Sequence, residues 1–98
     1  MAKGYWIVTT TITNPAFRDY VEAFEPWVES LGGSVFAKDL DSITVEGNCG
    51  KLAVIIEFPS KEAAIEAYNR DDYQELSKLR WASSIDTNIT IMDGSVTH

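Results

Sequence analysis

The sequence predicts an α+β fold, a four-stranded antiparallel sheet with helices on one face, in the order β-α-β-β-α-β. Three observations predict it. Leu52–Phe58, LAVIIEF, has the length and β-branched content of a strand and is too short to cross a membrane. It runs straight into Pro59-Ser60, a helix start. The same passage from strand to helix occurs earlier, where Gly4–Ile12 meets Asn14-Pro15, so the chain carries two similar units.

The two faces of Leu52–Phe58 are Leu52, Val54, Ile56, Phe58 and Ala53, Ile55, Glu57. Both are apolar apart from one carboxylate, which is the signature of a strand buried on both sides. A chain of 98 residues has enough helix to cover one side of a small sheet. A second copy of the chain is the expected cover for the other, so a homodimer is expected.

The elements follow in order. Gly4–Ile12 is strand one, with Trp6, Val8, Thr10 and Ile12 assigned to the helix side and Tyr5, Ile7, Thr9 and Thr11 opposite. Asn14 caps helix one and Pro15 opens it. That helix runs to about Leu31 on a stripe of Phe17, Tyr20, Val21, Phe24, Trp27, Val28 and Leu31. Pro26 removes an amide bond inside it, so a kink or break is expected. Gly32 suits the left-handed position after the helix. Ser34–Asp39 is strand two. Leu40–Gly50 is a polar connection with a short strand expected at Ile43–Glu46 and a turn at Gly47–Gly50. Lys51–Phe58 is strand three. Ser60 caps helix two, which ends near Arg70. Asp71 caps helix three, with Gln74 three residues on, and that helix ends near Ser83. Asp86–Asp93 is strand four, and residues 95–98 end the single domain, 1–98, as a tail. The order is that of the ferredoxin-like split βαβ, whose right-handed crossovers place the helices on one face.

Net charge is −7, from 15 acidic and 8 basic residues. Nucleic acid and anionic membrane surfaces are therefore excluded as expected partners, since both need clustered Lys and Arg. One cysteine, Cys49, excludes an intrachain disulfide and a thiolate cluster, and its one basic neighbour, Lys51, does not make it a reactive thiol. The start of the chain lacks the apolar core of a signal peptide, so a cytoplasmic location is expected.

Gly4–Ile7, Asn14-Pro15 with Tyr20, Gly32-Gly33, Ile56–Ser60, Tyr73-Gln74 and Leu79-Arg80 together resemble the DUF1330 family, in an order that covers about Lys3 to Gly94. The resemblance implies a dimeric α+β barrel in which two ferredoxin-like sheets face each other. It implies no activity, because the function of that family is unknown. Borrowing an activity from other families of dimeric barrels would rest on fold alone.

Two charged residues stand in apolar surroundings. Glu57 shares a face with Ala53 and Ile55, which suits a general acid or base; the plain structural reading is a solvated or ion-paired carboxylate at a strand end. Arg80 lies seven residues beyond Tyr73 with Leu76 beside them, at the edge of the buried stripe. It would anchor an anionic ligand, or else form a structural salt bridge, to Glu57 or across the dimer. Tyr5 and Tyr68 are candidate pocket residues. Trp81 lies off its helix's stripe and suits a subunit contact. Lys38 faces either the barrel or, as edge lysines usually do, water. His98, the single histidine, is a tail residue. This disfavours a histidine-ligated haem or zinc and excludes a Ser-His-Asp arrangement, so no metal and no cofactor are expected. Nor is there a phosphate loop.

The residues therefore support a homodimer that binds a small apolar or anionic molecule in a barrel pocket. Arg80 would be the anchor, Glu57 the orienting or proton-transfer group, and Tyr5 and Tyr68 the walls. Were it an enzyme, cofactor-free proton transfer or oxygenation is the chemistry these residues permit. The rival reading is a non-catalytic dimerisation or regulatory module with a filled barrel.

Overall fold

The computed structural model describes residues 2–96. The expected placement of His98 as a tail residue lies outside these. Four strands, β1 (Gly4–Ile12), β2 (Ser34–Asp39), β3 (Leu52–Phe58) and β4 (Ser84–Asp93), form one antiparallel sheet in the order β2-β3-β1-β4. Three helices, α1 (Phe17–Ser30), α2 (Lys61–Asn69) and α3 (Asp71–Ser83), lie on one side of it. Among the described residues no helix is long and apolar enough to cross a membrane.

The core lies between the helices and one face of the sheet, and Trp6 is at its centre. Its indole is 1% exposed and packs on Phe58 and Tyr73, each 5.1 Å between ring centroids, and on Tyr68 at 5.8 Å. Its Nε1 donates to the Ala64 carbonyl at 2.9 Å, so the one polar atom of this ring is satisfied by α2. The predicted faces hold. Leu52, Ile56 and Phe58 are buried with Trp6, while Ala53, Ile55 and Glu57 lie on the side without helices.

Several local expectations are corrected. α1 begins at Phe17 rather than Pro15, because the amides of Phe17, Arg18 and Asp19 bond three residues back and close a tight turn first. Asn14 still serves the helix start, its Oδ1 accepting from the Ala16 amide at 2.8 Å. α1 passes through Pro26 without a break. Ile43–Glu46 is not a strand; Ile43 and Val45 are exposed and pair with no neighbour. α3 is capped by Arg70, not Asp71, since Arg70 takes the extended conformation that separates α2 from α3. Asp71 and Asp72 fall in the first turn, where the helix dipole favours them. Gln74 does not close a capping box; its Nε2 donates to the Tyr68 carbonyl at 2.6 Å, an acceptor left over at the end of α2. β4 begins two residues early because Ser84 and Ile85 pair with Ile12 and Thr11. Gly32 has φ +80°, as the end of α1 requires.

Two irregularities shape the sheet. β2 shifts register between Val35 and Ala37, so Phe36 bulges out and its ring meets Tyr5 at 5.9 Å. The β1–β4 register shifts between Thr9 and Thr11, beside Asp86 at φ 55°. Thr10, left between them, spends its hydroxyl on the Ile85 carbonyl at 3.1 Å and on Thr87 Oγ1 at 2.7 Å.

Candidate functional site

The sheet separates the residues singled out from the sequence into two groups. Glu57 and Tyr5 are direct cross-strand partners on the face without helices, and the Tyr5 hydroxyl donates to Glu57 Oε2 at 3.1 Å. Loss of solvent and the neighbouring carboxylate push the Tyr5 phenol above its usual range. Around them lie Ile7, Phe36, Ile55 and Met92, so this face is apolar with one hydrogen-bonded acid in it. Arg80 and Tyr68 are on the other side, among the helices. The structure thus does not bring Glu57 and Arg80 together: β1 and β3 stand between them. The salt bridge between them, weighed from the sequence, is not formed.

Between α1, α3 and the sheet lies a cleft of about 740 Å³. Its floor is Val8, Val35, Leu52, Val54, Ile56 and Ile89, and its roof includes Phe17, Val21 and Phe24. Arg80 closes one end. A second, more open cavity of about 580 Å³ lies on the other side of Arg80, between Tyr68, Trp81 and the β4 residues Asp86, Thr87, Ile89 and Ile91. Arg80 is therefore common to both.

Arg80 is placed by the helix period. Tyr73, Ser77 and Arg80 fall on one line of α3, and all three are buried. The last turn is fixed by Ser83 and Ser84, whose hydroxyls donate to the carbonyls of Leu79 at 2.7 Å and of Arg80 at 2.6 Å. The Arg80 side chain is 5% exposed. Its Nε has no hydrogen-bond partner, and among the described residues no carboxylate lies within salt-bridge distance of its guanidinium. Its neighbour is Tyr20, whose phenol feels its positive charge.

Tyr20 and Tyr73 complete this end of the cleft, with their hydroxyls 2.9 Å apart and buried. Burial first, then the Tyr73 hydroxyl, pushes the Tyr20 phenol far above its usual range, while Arg80 works against the rise. The Tyr20 phenol is a neutral donor at ordinary pH. In a pair of hydroxyls one donates to the other, which leaves one O–H still to give. The adjacent polar groups are spent: Trp6 Nε1 on Ala64, Thr10 on Ile85 and Thr87, Ser77 on Gln74. This end of the cleft offers a buried guanidinium and a hydroxyl donor with no carboxylate opposite them among the described residues, which fits an anionic or oxyanion group.

The seven-residue spacing puts Tyr73 in line with Arg80, but sequence reasoning did not join Tyr20 to them. The signal was available: a tyrosine in an apolar helical stripe needs a partner for its hydroxyl, and two helices each carried one. Tyr68 packs against Trp6 and Tyr73 and reaches the second cavity, not the main cleft. Lys38 does not face the barrel side. The bulge at Phe36 turns it to the helix side opposite Val54, where its Nζ lies 3.9 Å from Glu25 at the far end of the cleft. Trp81 is 58% exposed, as its position off the stripe predicts.

A family model described as a domain of unknown function, DUF1330, matches residues 3–95. The chain is similar in structure to a protein of unknown function from Rhodopseudomonas palustris, with TM-score 0.73, 20% identity, and coverage of 99% of this chain and 85% of that one. A structure of the methylated form of that protein gives TM-score 0.76 at 20% identity, over 98% of this chain and 83% of that one. A hypothetical protein of Arabidopsis thaliana gives TM-score 0.69 at 12% identity, over 100% and 93%. At these identities the likeness establishes the fold alone. No curated protein matches the chain.

Proposed function

The chain belongs to the DUF1330 family, and on that premise we propose that it is a homodimer that binds a small anionic molecule in the cleft between helices and sheet, with Arg80 as the anchor. The observation that carries the reading is the buried Arg80 guanidinium at the end of a large cleft, with its Nε unpartnered. A guanidinium stays charged at any ordinary pH, and a charge held out of water without a counterion is costly to keep. An anion on the guanidinium, helped by the Tyr20–Tyr73 pair, would remove that cost. Tyr68 would act through the wall it gives to Trp6 and to the second cavity.

The open face of the sheet, with Phe36 and Met92 exposed on it, is proposed to meet the same face of a second copy. Glu57 and Tyr5 would then lie between the two sheets. Any proton transfer by Glu57 would take place there and not on a ligand held by Arg80. The regulatory-module reading has one observation in its favour: Glu57 is already engaged by Tyr5.

The test is a crystal structure of protein purified without added ligand, together with sedimentation at micromolar concentration. The expected result is a dimer with density against Arg80 in the cleft. A monomer, or a cleft filled by the partner copy with one of its carboxylates on Arg80, overturns the reading.

A further inference from the structure

The charges along the cleft define the class of ligand. Its lining carries three cations, Arg18, Lys38 and Arg80, and two anions, Asp19 and Glu25. Lys38 has Glu25 at 3.9 Å, and Arg18 and Asp19 are both exposed to water at the rim. One positive charge, Arg80, is left unmatched, and it is the buried one. A protein of net charge −7 thus encloses a cleft with an excess of one positive charge.

The surface between the two ends is apolar. From Lys38 on β2 the floor crosses Leu52, Val54 and Ile56 on β3 and Val8 on β1 before it reaches Arg80. At about 4.8 Å per strand this is a span of roughly 10 Å. It offers no hydrogen bond to a polar ligand body. A second carboxylate placed along it would lose its water and meet, at the far end, a lysine that already has a partner.

We infer that the ligand is an amphipathic monoanion, a carboxylate or similar oxyanion on an aliphatic body. Its charge sits on Arg80 and the Tyr20–Tyr73 pair, and its body lies across β1 and β3 towards Lys38. This rests on the reading of the cleft as a binding site and adds the charge and polarity of what it takes.

The test is an NMR titration that follows the indole N–H of Trp6, which lines the cleft, against that of Trp81, which does not. The probes are octanoate, octanamide and octanedioate. Octanoate is expected to shift the Trp6 signal and to bind about tenfold or more tightly than either of the others, the worth of one charge-assisted hydrogen bond. Arg80→Met should abolish the preference of acid over amide. Val54→Trp, which fills the floor, should abolish binding with Arg80 still in place. Octanedioate binding as tightly as octanoate overturns the monoanion class and leaves the cleft reading standing, whereas octanamide binding as tightly overturns Arg80 as an anion anchor and both readings with it. No shift of Trp6 with any probe up to millimolar concentration overturns both.

Discussion

Arg80→Met should make the unliganded protein more stable, and the size of the gain is a direct measure of what the anchor costs. The guanidinium is 5% exposed with Nε unpartnered, and its neighbour is the hydroxyl of Tyr20. Methionine follows most of the same path with an apolar chain. Removing a buried charge relieves a penalty of several kcal/mol in a dry site, less where a cleft admits water. Against this stands the lost interaction with the nearby Tyr20 hydroxyl, about 1 kcal/mol. The expected net gain is about 1–2 kcal/mol. For a domain of this size that is roughly 5–12 °C in Tm, or roughly 1 M in the urea midpoint. The assay is equilibrium urea unfolding of both proteins at equal concentration, because a dimer's stability depends on concentration. The gain should not change between about pH 5 and 9, where the guanidinium remains fully charged. A loss of more than about 1 kcal/mol would refute the reasoning. It would show that Arg80 has a counterion in the assembled protein and is a structural residue.

Tyr20 gives an alkaline signature. Its phenol is raised in the folded protein, so the stability tied to it is fully present below the unfolded value near 10 and is lost as pH rises beyond that. Unfolding free energy should fall above about pH 10 with a contribution near 1.4 kcal/mol per pH unit from this residue, and Tyr20→Phe should flatten the slope; an unchanged slope in urea titrations at pH 9–11 refutes the assignment. Gly50→Ala should cost more than about 2 kcal/mol, because a Cβ there lands on the Thr10 carbonyl, whereas Gly32→Ala, at φ +80°, has only the Pro59 side chain nearby and should cost about 1 kcal/mol. Equal losses for the two in thermal unfolding would contradict the close approach of Gly50 to the Thr10 backbone of β1. Ile55→Asp on the open face should leave the cleft intact and convert the proposed dimer to monomer in sedimentation; a dimer that survives it does not use this face.

The strands and helices were legible in the sequence because their signals are local. Gly4–Ile12 and Leu52–Phe58 show a period of two, and the α1 stripe shows a period of 3.6. Ser60 marks the start of α2 by accepting from the Ala63 amide at 3.1 Å. Burial of Arg80 was legible too, from its seven-residue spacing to Tyr73. Other features had no local sign. The bulge at Phe36 shifts the alternation of β2 by one residue, and nothing in Ser34–Asp39 announces it, so Lys38 went to the helix side unforeseen.

The assembly of the site was decided at the tertiary level. The sequence by itself determined which face of each element is apolar, and hence the α+β class, the order of elements and the two-sided character of β3. It did not determine which separate elements share a cavity. Glu57 and Arg80 each stand out as a charge in an apolar setting, yet one lies on each side of the sheet. Tyr20 and Tyr73, which look like core residues, meet each other beside Arg80 because α1 and α3 pack against one another over the sheet. The physical reason is range. Periodicity and capping act over a few residues, whereas a cleft is made where elements more than fifty residues apart in the chain are held against one sheet.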